Sequence, residues 1–164
     1  YIKTEGSAVT RIADVANNCG SEQDFNSEEG VLYAEVTSQN DGNLKYIGLS
    51  DGTVTNRIGI FLGNVDNKIS AGSAGSGVNL GIYDKNITTS DYNKIALKYK
   101  ANDCSLWLNG VEIGTDTTFA AFSPNVLTQI DFSRANDIPF YGKVRSLKYF
   151  PEALTDEQLE NLTT

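Results

Sequence analysis

The sequence predicts an all-β, two-sheet antiparallel jelly-roll sandwich with a short C-terminal helix. Three observations predict it. Short apolar-alternating runs recur between turn signals along nearly the whole chain. Residues 93–110 read as a complete hairpin, and the one convincing helix signal lies at the C-terminal end.

The strands follow in order. Gly30 to Thr37 alternates Leu32, Ala34 and Val36 against Tyr33 and Glu35, and Leu44 to Leu49 ends at the Ser50-Asp51-Gly52 turn. Arg57 to Leu62 puts Ile58, Ile60 and Leu62 on one side and Arg57, Gly59 and Phe61 on the other. The small residues from Ala71 to Gly77 are expected to form a mobile loop between strands. Val78 to Tyr83 resumes the period of two, Ile130 and Phe132 alternate with Gln129 and Asp131, and Phe140 to Phe150 supplies a long late strand.

The helix signal begins at Thr155 as N-cap, with Gln158 as capping-box partner and Asp156 and Glu157 at the positive end of the helix dipole. Leu159 and Leu162 are expected to plug one open end of the sandwich.

The hairpin from Asn93 to Gly110 carries the most information. With a tight turn at Asn102-Asp103, Tyr99 faces Leu106 and Leu97 faces Leu108, so Ile95, Leu97, Tyr99, Leu106 and Leu108 form the core face. The other face then carries Lys98 opposite Trp107, with Ala96 opposite Asn109. The only Trp in the chain therefore points away from the core. An exposed indole among polar groups suits a pyranose ring, with Lys98 and Asn109 reaching its hydroxyls. Burial of Trp107 beneath a loop or subunit is the competing reading. Tyr33, Glu35, Arg57, Gln129 and Asp131 also point outward from their strands and complete the expected carbohydrate-binding set, whichever sheet each joins.

Composition limits the alternatives. The chain has 164 residues, enough to bury roughly two-thirds of its unfolded surface around one core, so residues 1–164 are expected to be one domain. It starts at Tyr1 without an initiator Met or signal-like segment, as expected of a piece excised from a longer protein. No apolar run is long enough for a membrane span. Thirteen Lys and Arg against 21 Asp and Glu give a net charge of −8, which repels nucleic acid and polyanions. A neutral glycan is therefore favoured unless Lys98, Lys100 and Arg57 form a local basic strip. Cys19 and Cys104 fit either a long-range disulfide, worth about 4 to 5 kcal/mol in the chain-entropy model, or two free thiols.

Three segments, SDGTVTNRIGI from Ser50, NKIALKYKANDCSLWLNGVEIGTD from Asn93 and FYGKVRSLKYFPEALTDEQLENL from Phe140, make the sequence resemble the concanavalin A-like lectin and glucanase superfamily. Within it the chain is most similar to laminin-G-like domains of bacteriophage tail and fibre proteins and carbohydrate-active enzymes. The resemblance implies two curved sheets that hold a polysaccharide in a groove or at its rim, at an extracellular or virion surface, in some members with calcium. No cofactor is required by this reading. Turn residues Asp14, Asn17, Asn64, Asp66 and Asp137 are the oxygen donors from which a structural calcium site would be drawn. A structural domain of a tail fibre, oligomeric through its parent protein, is the alternative function.

Catalysis is not expected. The closely spaced carboxylates of a retaining glycosidase, as E-x-D-x-x-E on one strand, do not occur. The chain contains no His, which removes the commonest general base of a lyase or hydrolase near neutral pH.

Overall fold

A computed structural model of the chain describes residues 19–38, 43–63, 68–75, 85–87, 91–135 and 137–164. In chain order the strands are β1 (Glu29–Ser38), β2 (Lys45–Ser50), β3 (Arg57–Leu62), β4 (Lys68–Ala74), β5 (Lys85–Asn86), β6 (Asn93–Lys100), β7 (Cys104–Leu108), β8 (Val111–Asp116), β9 (Gln129–Asp131), β10 (Ser133–Arg134), β11 (Ile138–Pro139) and β12 (Gly142–Phe150). Among the described residues there is one helix, α1, which spans Asp156–Thr163. The expected strand from Val78 to Tyr83 lies outside the described residues.

Two five-stranded sheets are formed, ordered β12-β1-β6-β7-β8 and β5-β4-β3-β2-β9, with β10 and β11 as a small separate pair. Every pairing among the described strands is antiparallel. The period-two pattern explains the core. Leu32, Ala34 and Val36 of β1 pack with Ile47 and Leu49 of β2, and Ile58, Ile60 and Leu62 of β3 belong to the same buried cluster. The hairpin residues Ile95, Leu97, Tyr99, Leu106 and Leu108 belong to it too.

The hairpin register departs from the expected one by two residues. Leu97 pairs with Leu106 and Ile95 with Leu108, so Trp107 lies opposite Ala96 and Lys98 opposite Ser105. The cause is the turn. The Asp103 amide donates to the Lys100 carbonyl at 2.9 Å and Asn102 takes φ 59°, so the reversal spans Lys100 to Asp103. An even shift leaves each side chain on its expected face, which is why the core assignment survives it. The tight two-residue turn instead joins β7 to β8 at Asn109-Gly110, both with positive φ, the geometry that favours Asn-Gly.

Two further expectations are corrected. Ala71 to Ala74 form the end of β4 and not a loop, with Ala71 fully buried and Gly72 paired to Gly59. Helix α1 does not plug an end of the sandwich. It lies along the outer face of the β12-β1-β6-β7-β8 sheet, where Leu159 packs with Val31, Tyr33, Ala96 and Trp107. Leu154, Leu162 and Phe150 complete this second apolar cluster.

The helix start follows the sequence closely. Thr155 accepts from the Gln158 amide, and the Gln158 side chain accepts from the Thr155 amide. At the other end, Thr163 accepts from the Gly110 amide at 3.1 Å, tying the helix to the β7–β8 turn. Thr155→Ala should lower stability by about 1 kcal/mol, read from the midpoint of urea unfolding. The two cysteines are not joined in this fold, Cys19 being exposed and Cys104 buried, which decides against the disulfide. Burial pushes the Cys104 thiol up to about 12.

Candidate functional site

The predicted site residues divide between the outer faces of the two sheets. Trp107, Lys98, Asn109, Tyr33 and Glu35 lie on the sheet that carries α1, whereas Arg57, Gln129 and Asp131 lie on the other.

On the helix-bearing sheet these residues are already occupied. Trp107 is only 7% exposed, and its indole N–H donates to Ser105 Oγ at 3.0 Å. The expectation of an exposed stacking surface is therefore not met, because α1 supplies the cover. Lys98 is buried, and its ammonium lies 2.7 Å from Asp103 and 3.3 Å from Asp156. Burial opposes its charge, but these two carboxylates outweigh that effect and hold its pKa above the ordinary lysine value. Asn109 locks the turn, accepting from the Lys94 amide and donating to Asn93 Oδ1. Tyr33 is buried beneath Lys148, whose ammonium lies 5.3 Å from the ring centroid. Glu35 pairs with Arg145 at 2.6 Å, and that guanidinium in turn lies over the Tyr92 ring.

The other sheet presents a different arrangement. Ile47, Leu49, Ile58 and Ile60 face the core, so the alternate residues Tyr46, Gly48, Ser50, Arg57, Gly59 and Phe61 face outward. Pairing brings three glycines into one row across the sheet, Gly48 with Gly59 and Gly59 with Gly72, and places Asp131 beside Gly48. The Tyr46 ring lies on this row. A Cβ added to Gly48 would sit 2.0 Å from the Tyr46 hydroxyl oxygen, and one added to Gly59 would sit 2.5 Å from its ring. Only glycine allows that approach. Phe61 leans over Gly72 and meets Tyr46 with ring centroids 5.1 Å apart. Phe61 keeps part of its surface in solvent, whereas Tyr46 is wholly buried. Burial raises the Tyr46 pKa well above that of free tyrosine, against an opposing effect of Arg57.

Polar groups flank the rings. Gln129, Ser50 and Arg57 form one cross-strand row. Its outer members stand roughly 10 Å apart, twice the strand spacing. Ser50 Oγ donates to Asp131 at 2.6 Å, and Gln129 Nε2 donates to both oxygens of the same carboxylate at 2.9 Å. Ser50 and Asp131 are themselves buried, so the groups left at the rim are the Gln129 amide and the Arg57 guanidinium, which can take sugar hydroxyls beside a ring stacked on the partly exposed Phe61.

Outward alternation pointed to Arg57, Phe61, Gln129 and Asp131 in the sequence but missed Tyr46 and Ser50. The recurrence of glycine at the outward positions of three strands was the available signal. Of the residues from which a calcium site would be drawn, Asp14, Asn17, Asn64 and Asp66 lie outside the described residues, and Asp137 is paired with Arg134 at 2.5 Å. Among the described residues no three His, Cys, Asp or Glu side chains group as metal ligands. No described helix is long and apolar enough to cross a membrane.

Comparison with known proteins agrees with this architecture. No family model matches the sequence, and no curated protein matches it. Solved structures do match. The CBM40 of Ruminococcus gnavus IT-sialidase, bound to α2,3-sialyllactose, superposes with a TM-score of 0.70 at 16% identity, over 84% of this chain and 83% of that one. The chain shares the fold of these β-sandwich modules. Domain 4 of a GH43 extracellular arabinanase from Geobacillus stearothermophilus, in complex with arabinotriose, gives a TM-score of 0.67 at 18% identity over 88% of this chain and 70% of that one. The leech intramolecular trans-sialidase matches with a TM-score of 0.68 at 19% identity, and the chain spans 23% of that protein's length.

Proposed function

We propose that the chain is a non-catalytic carbohydrate-binding module that holds a polysaccharide on the outer face of the β5-β4-β3-β2-β9 sheet. Phe61 is the stacking surface, Arg57 and Gln129 address the hydroxyls, and the buried Ser50 and Asp131 hold Gln129 in place through the Asp131 carboxylate. The observation that carries this reading is the aromatic pair laid on a glycine row and edged by polar groups, on the sheet opposite to the one α1 covers. Neighbours that bind sialyllactose and arabinotriose support it at the level of fold. The absence of His from the sequence supports a binder over a hydrolase or lyase.

A largely neutral β-linked chain, a glucan or an algal or cell-wall polysaccharide, fits the electrostatics. Lys98 and Lys100 are held by Asp103, Asp156 and Glu29 on one sheet while Arg57 lies on the other, so these three do not form a basic strip. Binding at such a shallow face should be micromolar to millimolar and weakly salt-dependent. An extracellular or virion-surface location belongs to the same proposal.

Phe61→Ala should weaken glycan binding by about 1 to 3 kcal/mol, measured by calorimetry against the tightest ligand from a glycan array of algal and bacterial polysaccharides. Unchanged affinity would remove Phe61 from the site. A structural role in a fibre is favoured by one observation, the exposure of Val111 on the edge strand β8 and of Tyr141 and Val144 at the edge strand β12. Concentration-dependent assembly with no array signal would select that role.

A further inference from the structure

We propose that the sugar unit held at this site carries a carboxylate and that Arg57 receives it; the inference rests on the glycan-binding reading above and narrows its ligand. Arg57 opens β3 between Ser50 and Ala74. Its Nη1 donates to the Val54 carbonyl, while its Nε is buried with no hydrogen-bond partner. Leaving a buried donor unpaired costs free energy, so the side chain is incompletely satisfied in this fold.

The guanidinium also has no counter-ion among the described residues, unlike the chain's other described arginines. Arg134 is paired with Asp137 and Arg145 with Glu35. Asp51, which follows Ser50, the cross-strand partner of Arg57, and Asp131 of β9 are engaged elsewhere. Asp51 accepts from Thr53 and Asn56, and Asp131 accepts from Ser50 and Gln129. A planar guanidinium fork matches a carboxylate, which can take two parallel N–H donors and neutralise the charge. A hydroxyl would satisfy one N–H and leave the charge unmatched. One such arginine on a chain of net charge −8 selects a single acidic residue within or at the end of an otherwise neutral chain, and not a polyanion.

An array of matched trisaccharides in the gluco, galacto and manno series tests this, each printed as the neutral sugar, as its 6-carboxylate and as the methyl ester of that acid. Wild-type protein should bind the acid in at least one series about tenfold more tightly than its neutral counterpart, and the ester should lose that preference. In Arg57→Gln the acid-to-neutral ratio should fall to about one, and in Arg57→Lys, which keeps the charge but not the fork, it should lie between. Thermal melting confirms that each variant folds; if the Gln variant does not, the ester comparison and the Lys variant decide. Equal binding of acid and neutral sugars by wild type, or a preference that survives Arg57→Gln, overturns the carboxylate and leaves the glycan reading standing. Binding to none of the array overturns the glycan reading itself.

Discussion

Trp107→Ala should destabilise the fold by about 3 to 5 kcal/mol, the range for truncating a buried aromatic, with no comparable loss in glycan affinity. The indole fills the space between β7 and α1, against Ala96, Val31, Tyr33 and Leu159. Removing it leaves a cavity under the helix and strips Ser105 Oγ of its donor. Urea unfolding measures the loss. Hydrogen exchange in residues 156–163 should accelerate alongside it, because the helix loses its main apolar support. A loss below about 0.5 kcal/mol, the size of an ordinary surface substitution, would mean that α1 is not seated on Trp107.

Leu106→Ala should cost about 2 to 5 kcal/mol through a cavity on the opposite face of the same strand. Leu106 is fully buried between the sheets. Large losses at two successive residues are expected only where both faces of a strand are covered, and all five residues of β7 are buried. A sheet with one solvated face would show a large loss at Leu106 and a small one at Trp107. Comparing the two unfolding midpoints therefore reads out the helix cover directly.

That cover is the part of the fold the sequence did not reveal. Alternation in β1, β3, β6 and β7 was sharp enough to identify the core face, and the capping box located α1 to the residue. The docking of α1 on Trp107 joins segments some fifty residues apart, and no local pattern records it. Lys98, Ser105 and Asn109 made the outer face look solvated, although Lys98 is buried through its carboxylate partners and Asn109 serves a turn. The site was half legible for a related reason. Arg57, Gln129 and Asp131 were readable as outward residues, but their shared sheet follows from β9 pairing with β2, a long-range contact. Tyr46 escaped because an aromatic beside Ile47 is easily read as core. Its place on the glycine row emerges only once three strands are aligned.

The most direct test of the central claim is a titration of 15N-labelled protein with the tightest array glycan, following backbone amide shifts. Binding on the β5-β4-β3-β2-β9 sheet predicts saturable shifts at Ser50, Arg57, Phe61, Gly72 and Gln129, with residues 94–109 and 156–163 unmoved. Shifts centred on Trp107, Lys98 and α1, with Phe61 and Arg57 silent, would contradict it and place the ligand on the helix-bearing face.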